Sequence, residues 1–404
     1  MALPDRLRDD AAALQPELVR LRRDLHRHPE IGLDLPRTQR AVLDELAGLG
    51  LEITLGRSLT SVTAVLRGAG GPAVLLRADM DALPITETTG LDYASQVDGA
   101  MHACGHDLHT AMLVGAARLL SQHRDQLAGD VVFMFQPGEE GWNGAGRMIA
   151  EGVLDAAGPR VSSAYGMHVR SYGWPSGRFG SRPGTLMAAT ADLKVTVRGT
   201  GAHASMPHLG RDPVTVAAEI VTSLQTLVTR RFDVFDPVVV TVGSIHAGNK
   251  ANIIPDTAEI DATVRTFSAT NQERLRAEIT RLCEHIAAAH GLTAEVAYVD
   301  GYPVTVNDEQ RYEFARSVVS DVVGADRFEA MRFPVSAAED FAEVLDQVPG
   351  CYLMLGASGA EDPAQGAVNH SPRAVFDDAV LADGALVHAE LVGPVVEWAV
   401  DASW

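Results

Sequence analysis

Ala73-Val-Leu-Leu-Arg77, then Asp107-Leu-His-Thr-Ala-Met-Leu-Val-Gly-Ala-Ala-Arg-Leu-Leu120, then Val131-Val-Phe-Met-Phe135 decide the fold class. The first and last are short, rich in Val, Leu or Phe, and bounded by Gly or Pro, so they read as strands. In the middle stretch Ala111, Val114 or Gly115, and Arg118 or Leu119 recur at helical spacing. Val62–Leu66 upstream reads as a further strand. Strands alternating with helices predict a largely parallel sheet covered on both faces.

Further along the pattern changes. Asp192–Arg198 alternates polar and apolar residues, as a strand with one wet face does. Asp212-Pro213 supplies an N-cap and a proline at the first helical position. Val214, Ala217, Val221, Leu224 and Val228 continue that helix as an apolar stripe. Val238–Val242 and Glu259–Thr266 read as strands, Asn271–His290 as a helix closed by Gly291, and Leu292–Val299 as a last strand. The order β-α-β-β-α-β predicts a ferredoxin-like α+β unit. After Tyr302 the first style returns, through Cys351–Leu355 and a C-terminal helix over Asp377–Val396. The expectation is an α/β protein. A mainly parallel-sheet domain is formed by 1–187 and 302–404, and an α+β domain of 188–301 is inserted in it. No internal repeat, low-complexity segment or long linker interrupts this plan.

The chain has 404 residues, enough for two or three domains. With 33 Lys+Arg against 53 Asp+Glu its formal charge is −20, which argues against nucleic acid or an anionic membrane as partner. A small acidic substrate stays possible, because one buried Arg binds a carboxylate locally. No apolar run approaches the roughly 20 residues that span a bilayer. Met1 to Arg8 carries charge with no apolar stretch behind it, so no signal peptide is expected. Cys104, Cys283 and Cys351 are too few and odd in number for a disulfide framework, which points to a reducing cytoplasm.

Chemistry-bearing residues cluster. In Met101-His-Ala-Cys-Gly-His-Asp-Leu-His109, Cys104 and His106 offer a thiolate and an imidazole, and Gly105 lets the backbone turn both toward one point. From this stretch alone, a buried cysteine with Asp107 as helix cap is the more ordinary reading. Glu139-Glu140 follows a strand, where open α/β sheets build sites, although such a pair is also common on a solvated loop. Asp81, after another strand, could orient a ligating imidazole or simply form the turn before Leu83-Pro84. His168 and His370 are lone histidines, which more often only satisfy local polar contacts. Taken together, Cys104, His106, Glu140, His168 and His370 all fall at strand ends or loops on one side of the sheet. Such donors suit Zn²⁺ and tolerate Mn²⁺ or Co²⁺. Five are too many for one tetrahedral ion with an open position, and suit two ions about 3.5–4 Å apart. Glu139 is then left beside them as a general base.

These residues resemble the M20 metallopeptidase family, in its aminoacylase-like branch of N-acyl-amino-acid and hippurate hydrolases. The matching stretches are Asp24-Leu-His-Arg-His-Pro-Glu30, Leu76-Arg-Ala-Asp-Met-Asp-Ala-Leu-Pro84, His102-Ala-Cys-Gly-His-Asp-Leu-His109, Gln136-Pro-Gly-Glu-Glu140 and Gly166-Met-His168. Gly201-Ala-His-Ala-Ser205, Asn252-Ile-Ile-Pro255, Asp261-Ala-Thr-Val-Arg265, Ala338-Glu-Asp-Phe341 and Asn369-His-Ser-Pro372 continue the set in order. The resemblance implies Cys104, His106, Glu140, His168 and His370 as ligands of two divalent ions, zinc foremost. It implies Glu139 as the base and Asp81 as the orienting carboxylate. Other M20 branches carry His where this chain has Asp79, which places the chain with the Cys-Gly-His branch. His203 resembles the histidine that reaches a neighbouring subunit's site and steadies the oxyanion, while Asn252 and Arg265 resemble holders of the substrate carboxylate. The remaining histidines are read as structural or at the surface, with His109 the exception through contact with the ligands. The implied activity is hydrolysis of N-acyl-L-amino acids to a carboxylic acid and a free amino acid, by a homodimer paired through the inserted domain. A dipeptidase or carboxypeptidase with the same metals is the alternative, and a non-catalytic binding relative a more distant one.

Overall fold

A computed structural model describes residues 3–393. The start of the Met1 to Arg8 stretch and the 394–396 end of the expected C-terminal helix lie outside the described residues. The chain divides into two compact units: Met1–Gly184 with Val306–Phe333 and Glu343–Trp404, and Thr185–Thr305 with Pro334–Ala342. The sequence reading gave all of 302–404 to the first domain. Pro334–Ala342 joins the second unit because Val335 bridges Met187 in parallel and accepts and donates backbone hydrogen bonds there.

The first unit is built on an eight-stranded sheet in the order Glu52–Leu55, Val62–Leu66, Gly129–Gln136, Gly71–Asp79, Ser163–Arg170, Gly350–Gly356, Phe179–Ser181 and Phe328–Ala330. Its four central strands run parallel. Val62–Leu66 is antiparallel to its neighbour, Val62 facing Phe135. Every residue of Gly129–Gln136 is buried, so both faces are covered, and its unbroken apolar character follows from that. The helix His106–Gln122 is buried nearly all round, with Leu3–Arg27 and Leu381–Glu390 packed over it. Its weak amphipathic pattern is the signature of such a helix. Gly115 permits the approach: a Cβ there would lie 2.7 Å from the Ala385 Cβ. Asp79 and Gln136 close their strands at one end of the sheet, where crossover topology gathers loops from several strands.

The second unit is an antiparallel sheet in the order Val238–Ala247, Thr257–Thr266, Ala189–Arg198, Thr293–Asp300. In order of appearance that is strand 2-3-1-4, with each helix crossing over one intervening strand. Burial alternates along Ala189–Arg198 and Thr257–Thr266. The buried face, including Leu193, Val195, Ile260 and Val264, packs with Ile220 and Leu224 of Pro213–Arg231 and Leu275 and Ile279 of Ala269–Ala289. The Asp212 carboxylate caps the first helix through the Val214 N–H, as its position before Pro213 predicts. Among the described residues no helix is long and apolar enough to cross a membrane.

Candidate metal centre

The backbone assembles this site from five places in the first unit. Asp81 and the Glu139-Glu140 pair lie just past the strands ending at Asp79 and Gln136, and His168 sits near the end of Ser163–Arg170. Cys104 and His106 flank Gly105, which precedes the helix with φ +88°. A Cβ on Gly105 would sit 2.3 Å from Val169 Cγ2, so glycine is required both by conformation and by space. Asp107 is therefore not the cap; it lies in the helix's first turn. His370 adopts a left-handed φ of 68°, a conformation costing about 1–3 kcal/mol for a residue with a side chain. Its N–H donates to the Ala103 carbonyl, which fixes the loop.

The five candidate donors converge. Cys104 Sγ is 3.3 Å from His168 Nε2 and 3.2 Å from His370 Nε2. Glu140 Oε1 is 3.2 Å from His370 Nε2 and 4.0 Å from His106 Nε2. Glu139 offers a carboxylate oxygen within 4.8 Å of ligand atoms of His106 and Glu140. The buried His106 has only long polar contacts, Asp81 3.4 Å from Nδ1 and Asp79 3.6 Å from Nε2, which leaves Nε2 a poorly satisfied buried polar atom. A thiolate, three imidazoles and a carboxylate around such an atom fit a pair of borderline divalent cations, held by Cys104, His106, Glu140, His168 and His370.

A second layer fixes the donors. The Asp81 carboxylate accepts the N–H groups of Glu139 (3.0 Å) and Glu140 (3.1 Å) and lies 3.4 Å from His106 Nδ1. One side chain thus sets both the carboxylate turn and the ring of a candidate ligand. His109 Nε2 accepts the Val169 N–H at 2.8 Å, so its proton is on Nδ1, which donates to Asp79 at 2.5 Å. The His109 ring stacks on His106, 5.3 Å between centroids, and meets His168 edge-on. Arg77, buried, bonds Asp79 at 2.7 Å and Gln136 at 2.9 Å.

The charges follow from this packing. Burial opposes charge on His106, but Asp79 and the Cys104 sulfur overcome it and hold its pKa well above the ordinary imidazole value. Burial and the neighbouring His109 keep His168 well below it, hence neutral. Hydrogen bonds to Cys104 and Glu140 push His370 up to about 10, and burial and Glu140 raise the Cys104 thiol. Protons on His106 and His370 would have to leave for those rings to ligate a cation, so binding there would release them.

Sequence reasoning passed over a buried ionic group beside this centre. Arg22 Nε lies 2.9 Å from Asp107, which His26 Nδ1 approaches at 2.7 Å, while Arg22 Nη1 reaches Asp378. The signal was present in Asp24-Leu-His-Arg-His-Pro-Glu30, but only the fold shows that His26 meets Asp107, the residue after the candidate ligand His106. His102, buried nearby, has no hydrogen-bond partner for either nitrogen, and burial pushes it down to about 3. An unfolded histidine titrates near 6.5, so between those values only the unfolded chain takes up the proton. The stability His102 contributes is full above pH 6.5 and falls as pH drops toward 3. At pH 5 the loss is about 2 kcal/mol. His102→Phe is expected to flatten this acid limb in urea unfolding of the metal-free protein between pH 7.5 and 5. An unchanged slope would show that another group drives it.

In the second unit His203 pairs with Ile253, and the Asn252 carbonyl accepts the Ala204 N–H. His203 and Asn252 line one groove with His246, Asp256 and Glu259. Arg265 is elsewhere. It sits opposite Thr190, at the sheet end where the chain enters and leaves the unit, and its Nη1 donates to Thr190, Thr263 and the Val264 carbonyl. About 20 Å of strand separates it from Glu259, so a single copy of this sheet does not bring Asn252 and Arg265 together. The antiparallel register, Thr257 opposite Arg198 and Thr266 opposite Ala189, enforces the separation.

Known proteins resemble this chain over nearly its whole length. Residues 75–393 match the profile of Peptidase family M20/M25/M40. The chain is 36% identical over 398 residues to thermostable carboxypeptidase 2 of Saccharolobus solfataricus, covering 97% of this chain and 98% of that one. It is 38% identical to the N-acetyl-L-cysteine deacetylase of Bacillus subtilis, covering 87% and 83% of the two. A solved Bacillus subtilis structure, described as a dinuclear metal binding peptidase from the M20 family, superposes with a TM-score of 0.83 at 34% identity, covering 96% of this chain and 99% of that one. The chain belongs to peptidase family M20/M25/M40 and is a metal-dependent hydrolase of that family.

Proposed function

We propose that the protein hydrolyses the amide bond of N-acyl-L-amino acids, releasing a carboxylic acid and a free amino acid, with two divalent cations per chain. The observation that carries the reading is the convergence of Cys104, His106, Glu140, His168 and His370 beside Glu139, whose turn is pinned by Asp81. Held by Cys104, His106, Glu140, His168 and His370, two divalent cations would supply Lewis acidity to lower the pKa of a water and to polarise the scissile carbonyl. Zinc suits the donors best, with manganese or cobalt as substitutes.

The chain's own groups supply the rest. Glu139 accepts the water's proton on a carboxylate oxygen and later delivers it to the leaving nitrogen. His203 Nδ1 accepts from the Ser205 N–H (3.2 Å) and faces its hydroxyl at 2.8 Å. That leaves the proton on Nε2, as a donor to the developing oxyanion requires. Asn252 and Arg265 hold the substrate carboxylate. Because His203 and Asn252 lie at the far end of the sheet from Arg265, the complete site draws on two copies of the chain, paired as a homodimer through the inserted unit. A reducing cytoplasm suits the Cys104 thiolate.

The similarity to a protein named as a carboxypeptidase favours one second reading, cleavage of free peptides by the same centre. The protein loaded with Zn²⁺, Mn²⁺ or Co²⁺ and assayed on N-acetyl- and N-benzoyl-amino acids, their methyl esters and free dipeptides separates the two. The N-acyl acids are expected to turn over fastest, and the esters to lose at least tenfold in kcat/KM, about 1.4 kcal/mol, when the carboxylate contact is removed. Faster turnover of free dipeptides, or equal rates on acid and ester, overturns the assignment.

A further inference from the structure

The three loops that carry Cys104, His168 and His370 must hold one geometry, and one uncharged side chain touches all three. Asn369 precedes His370. Its Nδ2 donates to the Cys104 carbonyl at 3.2 Å and to the Val169 carbonyl at 3.0 Å, and lies 3.9 Å from Cys104 Sγ. Its Oδ1 accepts the Ser171 N–H at 3.0 Å. The orientation of the amide is not arbitrary: carbonyls only accept and a backbone N–H only donates, so Nδ2 and Oδ1 cannot be exchanged. The Val169 peptide is clamped further. Its carbonyl also accepts from His168 Nδ1 at 2.7 Å, which turns Nε2 of that ring toward Cys104, and its N–H donates to His109.

We infer that Asn369 is the positioning residue of the metal centre, acting through hydrogen bonds that tie the Cys104, His168 and His370 loops together and through the left-handed backbone at His370. It ligates nothing and touches no substrate atom. The inference rests on the ligand set proposed above and adds to it the group that sets the spacing of three of its members. Partners of this kind typically tune metal affinity or activity by about 10–100-fold.

Asn369→Asp is the discriminating change. It keeps the size and the acceptor for Ser171, but replaces both N–H donors with a charged oxygen facing two carbonyls. Asn369→Ala removes the same bonds without adding charge and serves where the charged variant fails to fold. Cobalt(II) titration of the full-length protein reads both affinity and the thiolate-to-cobalt charge-transfer band of Cys104, without any turnover. The expected result is a roughly 10–100-fold weaker cobalt affinity with a shifted or weakened band, at a thermal midpoint of the metal-free protein within a few degrees of the parent. Parental affinity and an unchanged band in both variants overturn the inference. So does loss of cobalt that merely follows loss of fold in both. Cys104→Ser is the control for the underlying reading: if it keeps the band and the stoichiometry, the ligand set itself is wrong, whatever Asn369 does.

Discussion

Glu139→Gln is expected to keep its metal and its fold and to lose roughly 10²–10⁴-fold in kcat, the range a positioned general base contributes. That corresponds to about 3–5 kcal/mol of transition-state stabilisation. The substitution is nearly isosteric, and the bond from the residue 139 N–H to Asp81 is one that glutamine retains. The substitution removes the ability to take a proton together with one negative charge near His106 and Glu140. Glu140→Gln provides the contrast one residue away. Its carboxylate lies against His370 and His106, so losing the charge should lower the metal content first and turnover as a consequence. Mass-spectrometric metal analysis with kcat on an N-acetyl-amino acid reads both variants. Parental kcat in Glu139→Gln removes the base assignment. Metal loss in Glu139→Gln equal to that in Glu140→Gln makes residue 139 a ligand instead.

The contrast between these neighbours shows what the sequence could and could not carry. Periodicity located the strands around Leu76, Phe133 and Leu353 because the central strands are buried on both faces and therefore unbroken in hydrophobicity. It located the second unit because its sheet is wet on one face and alternates. It did not show that Val62–Leu66 runs antiparallel, since strand direction leaves no mark on residue pattern. Nor could it show that Pro334–Ala342 crosses to the second unit, because a single bridge between Met187 and Val335 has no local signature.

The candidate ligands were legible as donor types placed after strands. Of their partners, Asp81 and His109 were named as well, but the contacts those partners make were not. Asp79, His109 and Asn369 matter through where their hydrogen bonds end, which depends on contacts such as Val169 to His109 that span 60 positions. The histidines His26 and His102 look alike in sequence and lie side by side, 6.3 Å between ring centroids, yet differ in their partners. One is ion-paired to Asp107 and Glu87, the other buried without a partner. Arg265 is the reverse case: its type suited carboxylate binding, yet it lies at the opposite end of its sheet from the groove of His203 and Asn252.

That separation yields the sharpest test of the assembly. His203→Ala and Glu139→Gln should each be inert alone, the first for want of an oxyanion donor and the second for want of a base. If His203 serves the neighbouring subunit's centre, the two defects fall in different sites of a mixed dimer. One site of the hybrid then has both substitutions and the other has neither. Random exchange of equal amounts makes half the dimers hybrid, so activity should return to about a quarter of the parental value. If His203 serves its own chain's centre, every site in the hybrid keeps one defect and no activity returns. Differently tagged variants, co-expressed, purified through both tags and assayed on an N-acetyl-amino acid, isolate the hybrid, whose expected activity is about half the parental value. An inert hybrid of verified composition excludes a shared site. A protein that is monomeric by light scattering at full activity excludes the dimer itself.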